Sequence, residues 1–240
     1  GELKYLQTVR NAQPIQFYRD IRTYDVTGVD LVVSDFEPLT SRIASRNHLP
    51  CIGFGHHYAF MYETPIASGH RFSVSLIRRF APADYYAALH WHHFDQPILP
   101  PVITQGLANG STADPAKVLI YLPFEETADI RDFLRPLTSH QFYIYGKFAH
   151  ASDEKHLHFR PASREAFLAD LSDCKGVVCN AGFELPSEAL HIGKNLLVKP
   201  LVGQVEQESN AQALAELGLG HVMQSLDRDA LQAWIDAPSQ

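Results

Sequence analysis

An α/β protein with two domains, each built on a parallel sheet, is predicted by three features of this 240-residue sequence. Short runs of Val, Ile, Leu, Phe and Tyr recur at roughly 15–25-residue spacing, as buried strands do in alternating α/β chains. Amphipathic stretches with apolar residues three and four positions apart lie between most of them. A segment rich in Pro, Gly, Ser, Asn and Asp interrupts the pattern near the middle. Strands that alternate with helices form βαβ units, and the crossover connections force a parallel sheet. At about 150 residues per domain, the length allows one large domain or two smaller ones.

In the first hundred residues Asp30-Leu-Val-Val-Ser34 is a buried-strand run, Pro38–Asn47 a helix opened by proline, and Pro50-Cys-Ile-Gly-Phe54 the next strand. Residues 56–96 are rich in aromatics and His, with helices expected at Phe72–Arg79 and Ala83–Leu89. Pro97-Ile-Leu-Pro-Pro-Val102 and the following TQGLANGSTADPA read as the break. The division is therefore a partial α/β domain at 1–101, a linker at 102–116 and a second α/β domain at 117–240. In the latter, strands are predicted at Val118–Phe124, Gln141–Gly146, His156–Phe159, Gly176–Cys179, Asn195–Pro200 and His221–Met223. Helices are predicted at Thr127–Leu137, Ser163–Leu171, Leu185–Ile192 and Glu206–Leu217, the last stopped by Gly218.

Composition removes several function classes. Lys plus Arg number 20 against 27 Asp plus Glu, and the formal charge of −7 has no basic stripe, so no nucleic-acid partner is expected. Cys51, Cys174 and Cys179 form no C-x-x-C pair, which argues against a disulfide framework or a Cys-based zinc site and suits a reducing, cytoplasmic setting. The opening GELKYLQTVRN lacks a secretory pattern, and no apolar run approaches the roughly 18 residues of a spanning helix. His90-Trp-His-His93 and His56-His57 stand out among 13 histidines, but neither H-E-x-x-H nor a mixed Cys/His spacing occurs, so no metal is expected. G-x-G-x-x-G, a P-loop and G-x-S-x-G are absent too.

In open parallel sheets ligands sit outside the carboxyl ends of the strands, so the loops there carry the functional candidates. Asn180-Ala-Gly-Phe-Glu-Leu-Pro-Ser-Glu188 runs from a strand into a helix whose first turn is marked by Pro186. Gly182 would let a phosphate approach backbone N–H groups at the positive end of that helix. Taken alone, Gly182 reads equally as a turn residue and Glu188 as a solvated one. Leu201-Val-Gly-Gln-Val-Glu-Gln-Glu-Ser-Asn210 offers carboxylates and amides suited to sugar hydroxyls, although Glu206 and Glu208 would also complement a helix dipole.

Residues 174–214, CKGVVCNAGFELPSEALHIGKNLLVKPLVGQVEQESNAQAL, resemble the donor-binding half of GT-B glycosyltransferases, particularly the N-acetylglucosaminyltransferase type that completes lipid II. The shared elements are a strand, a Gly-containing loop, a Ser-Glu pair in the following helix, and an acidic-Gln pair followed by Asn-Ala; Asn195 stands where Pro is usual. The resemblance implies two Rossmann-like domains, the N-terminal one truncated, and transfer of a sugar from a nucleotide-diphosphate donor, UDP-linked, to an unknown small or lipid-linked acceptor. It assigns Asn180, Ala181 and Gly182 to the diphosphate with Ser187 bonding it, Glu188 to the ribose, and Glu206 and Gln207 to the sugar, supported by Asn210; Gln204 joins them as a donor-binding candidate. Asp30–Pro38 and the following helix and strand are similar to the acceptor side, where Asp35, Glu37, His56 and His57 are candidates for the base that deprotonates the acceptor. A His suits that step because its ordinary pKa lies near 6.5. Asp35 and Glu37 could instead brace the helix at Pro38. Leu122-Pro-Phe-Glu-Glu126 lacks glycines, and its carboxylates would repel a diphosphate, so no role is assigned to it. The resemblance leaves open peripheral membrane association, a nucleotide-sugar epimerase of the same architecture, and a non-catalytic binding module.

Overall fold

Two βαβ crossovers organise the N-terminal unit. After α1 (Pro14–Thr23), β1 (Val32–Ser34) leads through α2 (Pro38–Arg46) to β2 (Cys51–Gly55), and a 3-10 turn (His56–Met61) and α3 (Arg71–Phe80) lead to β3 (Tyr85–Ala88). The protein is seen in a computed structural model that describes residues 13–69, 71–107 and 114–237. The N-terminal stretch read for a secretory signal, and residues 108–113 of the expected linker, lie outside those residues. The chain divides into two compact units between Val102 and Ile103.

The three strands are parallel in the order β1-β2-β3. Tyr58, fully buried, packs so closely on β2 that any Cβ at Gly53 would overlap its ring. Residues Ala83–Leu89, expected to be helical, are a correction, because Tyr85–Ala88 is strand paired with Ile52–Gly55. Its alanines read as helix formers, but Asp84 latches the segment to β2: its backbone N–H donates to the Cys51 carbonyl at 2.9 Å and its carboxylate accepts the Cys51 N–H at 2.9 Å. The paired tyrosines suit that extended backbone.

The C-terminal unit follows the alternation more closely. Its elements are β4 (Asp114–Tyr121), α4 (Thr127–Leu134), β5 (Gln141–Gly146), β6 (Ser152–Glu154), β7 (Leu157–Pro161), α5 (Arg164–Asp173), β8 (Cys174–Asn180), α6 (Glu184–His191), β9 (Asn195–Lys199), α7 (Val205–Glu216), β10 (His221–Val222) and α8 (Arg228–Asp236). Ser163 caps α5, and Gly218, with φ of 66°, follows α7. The sheet order is β10-β9-β8-β4-β5-β7-β6, parallel except for the β6–β7 pair. Central strands are buried on both faces, which is why they read as continuous apolar runs. Val118, Leu119, Ile120, Phe142, Val177 and Val178 are all fully buried. β6 is short and polar and carried no strand signal; Arg131 holds it through two 3.0 Å bonds to Glu154.

Chain direction across this sheet decides where a ligand can sit. From β4 the connections run outward to β5 and β7, then return to β8 on the other side and continue to β9 and β10. The strand order therefore reverses between β4 and β8, and crevices in such sheets open at the carboxyl ends of the strands flanking that point.

Candidate functional site

The loops beyond β4, β7, β8 and β9 meet at that edge. α6 has its first turn at Glu184 to Pro186, so the N–H groups of Glu184 and Leu185 have no acceptor within the helix, while Pro186 has none to offer. A Cβ built on Gly182 meets nothing within 4 Å, so open space lies beside the backbone just before the helix. Beside α6 is a pocket of about 380 Å³ lined by Tyr121, Tyr145, Arg164, Phe167 and Glu188, among others. Phe167 meets Tyr121 and Tyr145 edge to face, at 5.6 and 5.1 Å between ring centroids, so one wall is aromatic.

Glu188 is the charged group in this pocket that is withdrawn from water, with its side chain 8% exposed. Its Oε1 accepts from Thr104 Oγ1 at 2.7 Å and from Arg164 Nη2 at 2.5 Å, and its Oε2 accepts from Arg164 Nη1 at 3.3 Å. Thr104 Oγ1 in turn accepts from Arg164 Nη2 at 2.8 Å. The hydrogen bonds that Arg164 donates to Glu188, opposed by burial and reinforced by charge, raise the pKa of Arg164 and keep it a cation. At the back of the pocket Tyr145 donates to Asp170 at 2.6 Å; burial, then that bond, push its hydroxyl pKa far up, so it remains a neutral donor.

The other donor-side candidates divide into exposed and structural ones. Asn180 Nδ2 donates to the Lys199 carbonyl at 3.0 Å, joining β8 to β9. Ala181 has no exposed surface, so its side chain packs in the interior, and its carbonyl accepts from Asn210 Nδ2 at 3.1 Å, which ties α7 to the loop after β8. Ser187 is buried and its hydroxyl proton goes to the Phe183 carbonyl at 2.6 Å. Gln204 caps α7 by accepting the Gln207 N–H at 2.9 Å, and its amide donates to Glu206 at 3.3 Å. Gln207, buried, accepts the Leu201 N–H at 3.0 Å. The Glu125 carboxylate, expected to repel a diphosphate, is corrected by its setting: Lys199 Nζ lies 2.7 Å away, with the two side chains 8% and 10% exposed, so the pair adds no net charge.

At the carboxyl ends of the N-terminal unit's strands, Glu37 is a correction. It is the N-cap of α2, and its two oxygens accept the Leu39 and Thr40 N–H groups at 2.8 and 2.7 Å. Burial pushes its pKa up, but the hydrogen bonds from Thr40 and Leu39 outweigh burial and hold the carboxyl below its ordinary 4.5, the wrong direction for a base. Glu37→Ala should therefore lower stability by about 1 kcal/mol through loss of the cap. Because the folded pKa is lowered, the difference from wild type is present above 4.5 and lost as the pH falls through the folded value; urea unfolding at pH 7 and pH 3 tests this, and equal differences at both would refute it. Phe36, at φ of 51°, stacks on His57 with centroids 4.5 Å apart and planes at 8°. Asp35 is exposed, and a Cβ on Gly55 would come within 2.8 Å of its Oδ1. His56 is buried and lies 2.9 Å from the Leu89 carbonyl, which can only accept, so Nδ1 carries a proton and donates it there. Burial, then His56 and His92, push His90 down to about 3. The Nδ1 atoms of His90, His92 and His93 accept backbone N–H groups, each at 2.9 Å, and among the described residues no group of three or more His, Cys, Asp or Glu is placed to hold a metal ion.

With this geometry in place, the family model of glycosyl transferase family 1 matches residues 3–237. The chain belongs to that family. No curated protein sequence matches this glycosyltransferase. Solved structures do match in fold. LpCGTa in complex with UDP superposes with a TM-score of 0.63 at 13% identity, over 96% of this chain and 75% of that one. VinC in complex with DTDP gives 0.59 at 16% identity, over 93% and 68%. SnogD from Streptomyces nogalater gives 0.53 at 16% identity, over 90% and 69%. The fold is that of GT-B glycosyltransferases, two α/β units with parallel sheets.

Sequence reasoning missed three residues at the transferase's pocket. Arg164 and Thr104 reach Glu188 across 24 and 84 positions, and Thr104 falls in the stretch read as linker. A basic residue directly after the helix-capping Ser163 at a strand's carboxyl end was the one available signal. Phe167 was legible only as an apolar position of α5. Among the described residues, no helix is long and apolar enough to cross a membrane.

Proposed function

We propose that the transferase takes a UDP-linked sugar as donor, with its site on the C-terminal unit, and passes the sugar to an acceptor hydroxyl. The observation that carries this reading is the juxtaposition of a buried carboxylate, Glu188, inside an aromatic-walled pocket with open space at Gly182 and the N-terminus of α6. The base lies against Tyr121 and Phe167, and the ribose hydroxyls donate to Glu188. The diphosphate meets Gly182 and the first-turn N–H groups of α6, where partial positive charge stabilises an anion by about 0.3–1 kcal/mol. That charge acts most strongly as the sugar bond breaks and the leaving diphosphate becomes more negative, so it lowers the barrier rather than only tightening binding. The donor sugar extends to Glu206 and Gln207 in the first turn of α7. His57, His56 and Asp35 remain the candidates to take the acceptor proton.

The resemblance of residues 174–214 to transferases of the lipid II type supports a UDP-linked donor, as does the UDP complex of LpCGTa. Calorimetric titration with UDP, UDP-N-acetylglucosamine and ADP, with and without Mg²⁺, is the test. The expected result is saturable, metal-independent binding of both uridine nucleotides and weaker binding of ADP. A chain that binds none of them lacks the donor site proposed.

A further inference from the structure

We infer that the outer face of α3 docks the N-terminal unit on an anionic lipid surface, its apolar row entering the boundary between headgroups and acyl chains while arginines beside the row meet the headgroups. The inference stands apart from the donor site proposed above. A helix that only covers a core needs one apolar stripe, and in α3 that stripe is Val74, 5% exposed, with Ile77 half-buried beside it. The helix carries a second one. Phe72, Leu76 and Phe80 stand at positions i, i+4 and i+8, so they line up on another face, where they are 76%, 54% and 49% exposed. Single exposed apolar residues are ordinary, but a contiguous row rimmed by charge marks an interaction surface.

The charge around this row is opposite in sign to that of the whole chain. The formal net charge is −7, yet between Pro38 and Ala83 the sequence holds five arginines, Arg42, Arg46, Arg71, Arg78 and Arg79, and a single acid, Glu63. The acids that bound this stretch are committed to backbone N–H groups, Glu37 as the cap of α2 and Asp84 as the acceptor of the Cys51 N–H. Arg42, Arg78 and Arg79 are exposed and bond neutral oxygens. Arg42 donates to the Arg79 carbonyl at 2.7 Å, which places it at the carboxyl end of α3, while Arg78 Nε donates to the Phe60 carbonyl at 2.7 Å and Arg79 to the Ser75 hydroxyl at 3.0 Å. Their positive charge is therefore available to an anion.

The size of the face decides between lipid and protein. A stable protein interface takes about 800 Å² from each partner, whereas even a fully covered aromatic side chain supplies only about 150–250 Å², so three partly covered side chains fall well short. A fluid bilayer needs no matching groove. Shallow insertion of a few apolar groups and attraction of arginines to anionic headgroups suffice together for reversible binding, although neither does alone.

The experiment is co-sedimentation of the full chain with vesicles of phosphatidylcholine alone and of phosphatidylcholine mixed with phosphatidylglycerol. Expected is binding at least about tenfold tighter to the anionic vesicles, weakening as salt is added. Phe72→Ser with Leu76→Ser should weaken that binding by about tenfold or more, and Arg42→Gln with Arg79→Gln by about tenfold to thirtyfold, at about fivefold for each arginine. Ile15→Ser, at a residue 85% exposed on α1, should leave it unchanged. Phe72→Trp gives a readout that needs no truncation, since its added emission should shift to the blue on anionic vesicles and be quenched by brominated acyl chains. Equal affinity for both vesicles, no binding to either, binding that survives the Phe72 and Leu76 changes, or an added emission that does not move would each overturn the inference. So would self-association of the lipid-free chain that those two changes abolish, because the face would then belong to a second copy.

Discussion

Glu188→Ala is expected to weaken UDP binding by about tenfold to a hundredfold and to leave the fold nearly unchanged. A hydroxyl bonded to an ionised acceptor contributes about 1.5–3 kcal/mol, and each 1.4 kcal/mol is a factor of about ten in Kd. The fold should tolerate the change because the two partners of the ion pair differ in exposure: Glu188 is 8% exposed and Arg164 57%. When the carboxylate goes, the guanidinium is left in a largely aqueous setting where loss of a partner costs little. Thr104, itself exposed, can likewise turn to water. Calorimetry measures the first effect, and urea unfolding of the same sample measures the second. An unchanged Kd would take Glu188 out of the binding site, while a large loss of stability would show that its main work is structural.

The second large effect concerns the support beneath the pocket. Lys117 in β4 is buried, with Nζ 2.6 Å from Asp170 Oδ1, 2.6 Å from Asp173 Oδ1 and 4.3 Å from the centroid of the Tyr143 ring. The Asp173 contact is an ion contact rather than an aligned hydrogen bond. Asp170 also receives the Tyr145 hydroxyl, so this charge cluster reaches the pocket wall. Burial pushes the Lys117 pKa down, but the hydrogen bond to Asp170 and the close negative charges of Asp170 and Asp173 outweigh it and raise the pKa. A raised lysine contributes stability that is fully present below its ordinary 10.5 and lost as pH rises through the folded value, so the contribution is constant at neutral pH.

Lys117→Met keeps an unbranched side chain, one atom shorter, and removes the charge. Breaking a buried pair by removing one partner costs about 3–5 kcal/mol, since Asp170, at 19% exposure, and the buried Oδ1 of Asp173 are both left poorly hydrated, and the lower end applies because the rest of the Asp173 side chain reaches water. With a urea m-value of about 1–3 kcal/mol/M, a loss of about 3 kcal/mol lowers the midpoint by about 1–3 M. Lys117→Met with Asp170→Asn should recover part of the loss, since the carboxylate that lost its counter-ion is also gone. An unmoved midpoint in the single variant would mean that the cluster contributes nothing net.

Most of the C-terminal strands could be read from the chain because β4, β8 and β9 are buried on both faces, and a strand so placed has to be apolar throughout. β3 could not be, since Tyr-Tyr-Ala-Ala suits either state locally and the latch between Asp84 and Cys51 that decides it spans 33 positions. The polar β6 was missed for the opposite reason, because its partners are ion pairs and not a core. Gly182, Glu188 and the α6 N-terminus could be picked out as candidates because a strand, a glycine and a proline in the first helical turn are local signals. Glu37 was offered both as a base and as a helix brace, and only its two hydrogen bonds chose the second.

The sequence by itself determined the alternation of strands and helices, the candidate loops at the carboxyl ends of the strands and the family resemblance at residues 174–214, since each depends on residues close together in the chain. Tertiary structure alone decided the charge state of the site. Lys199 meets Glu125 across 74 positions, and Arg164 with Thr104 surrounds Glu188. The physical reason is that periodicity records how often a residue faces the core, whereas the partner of a buried charge is selected by strand order, and strand order is not written in any local window.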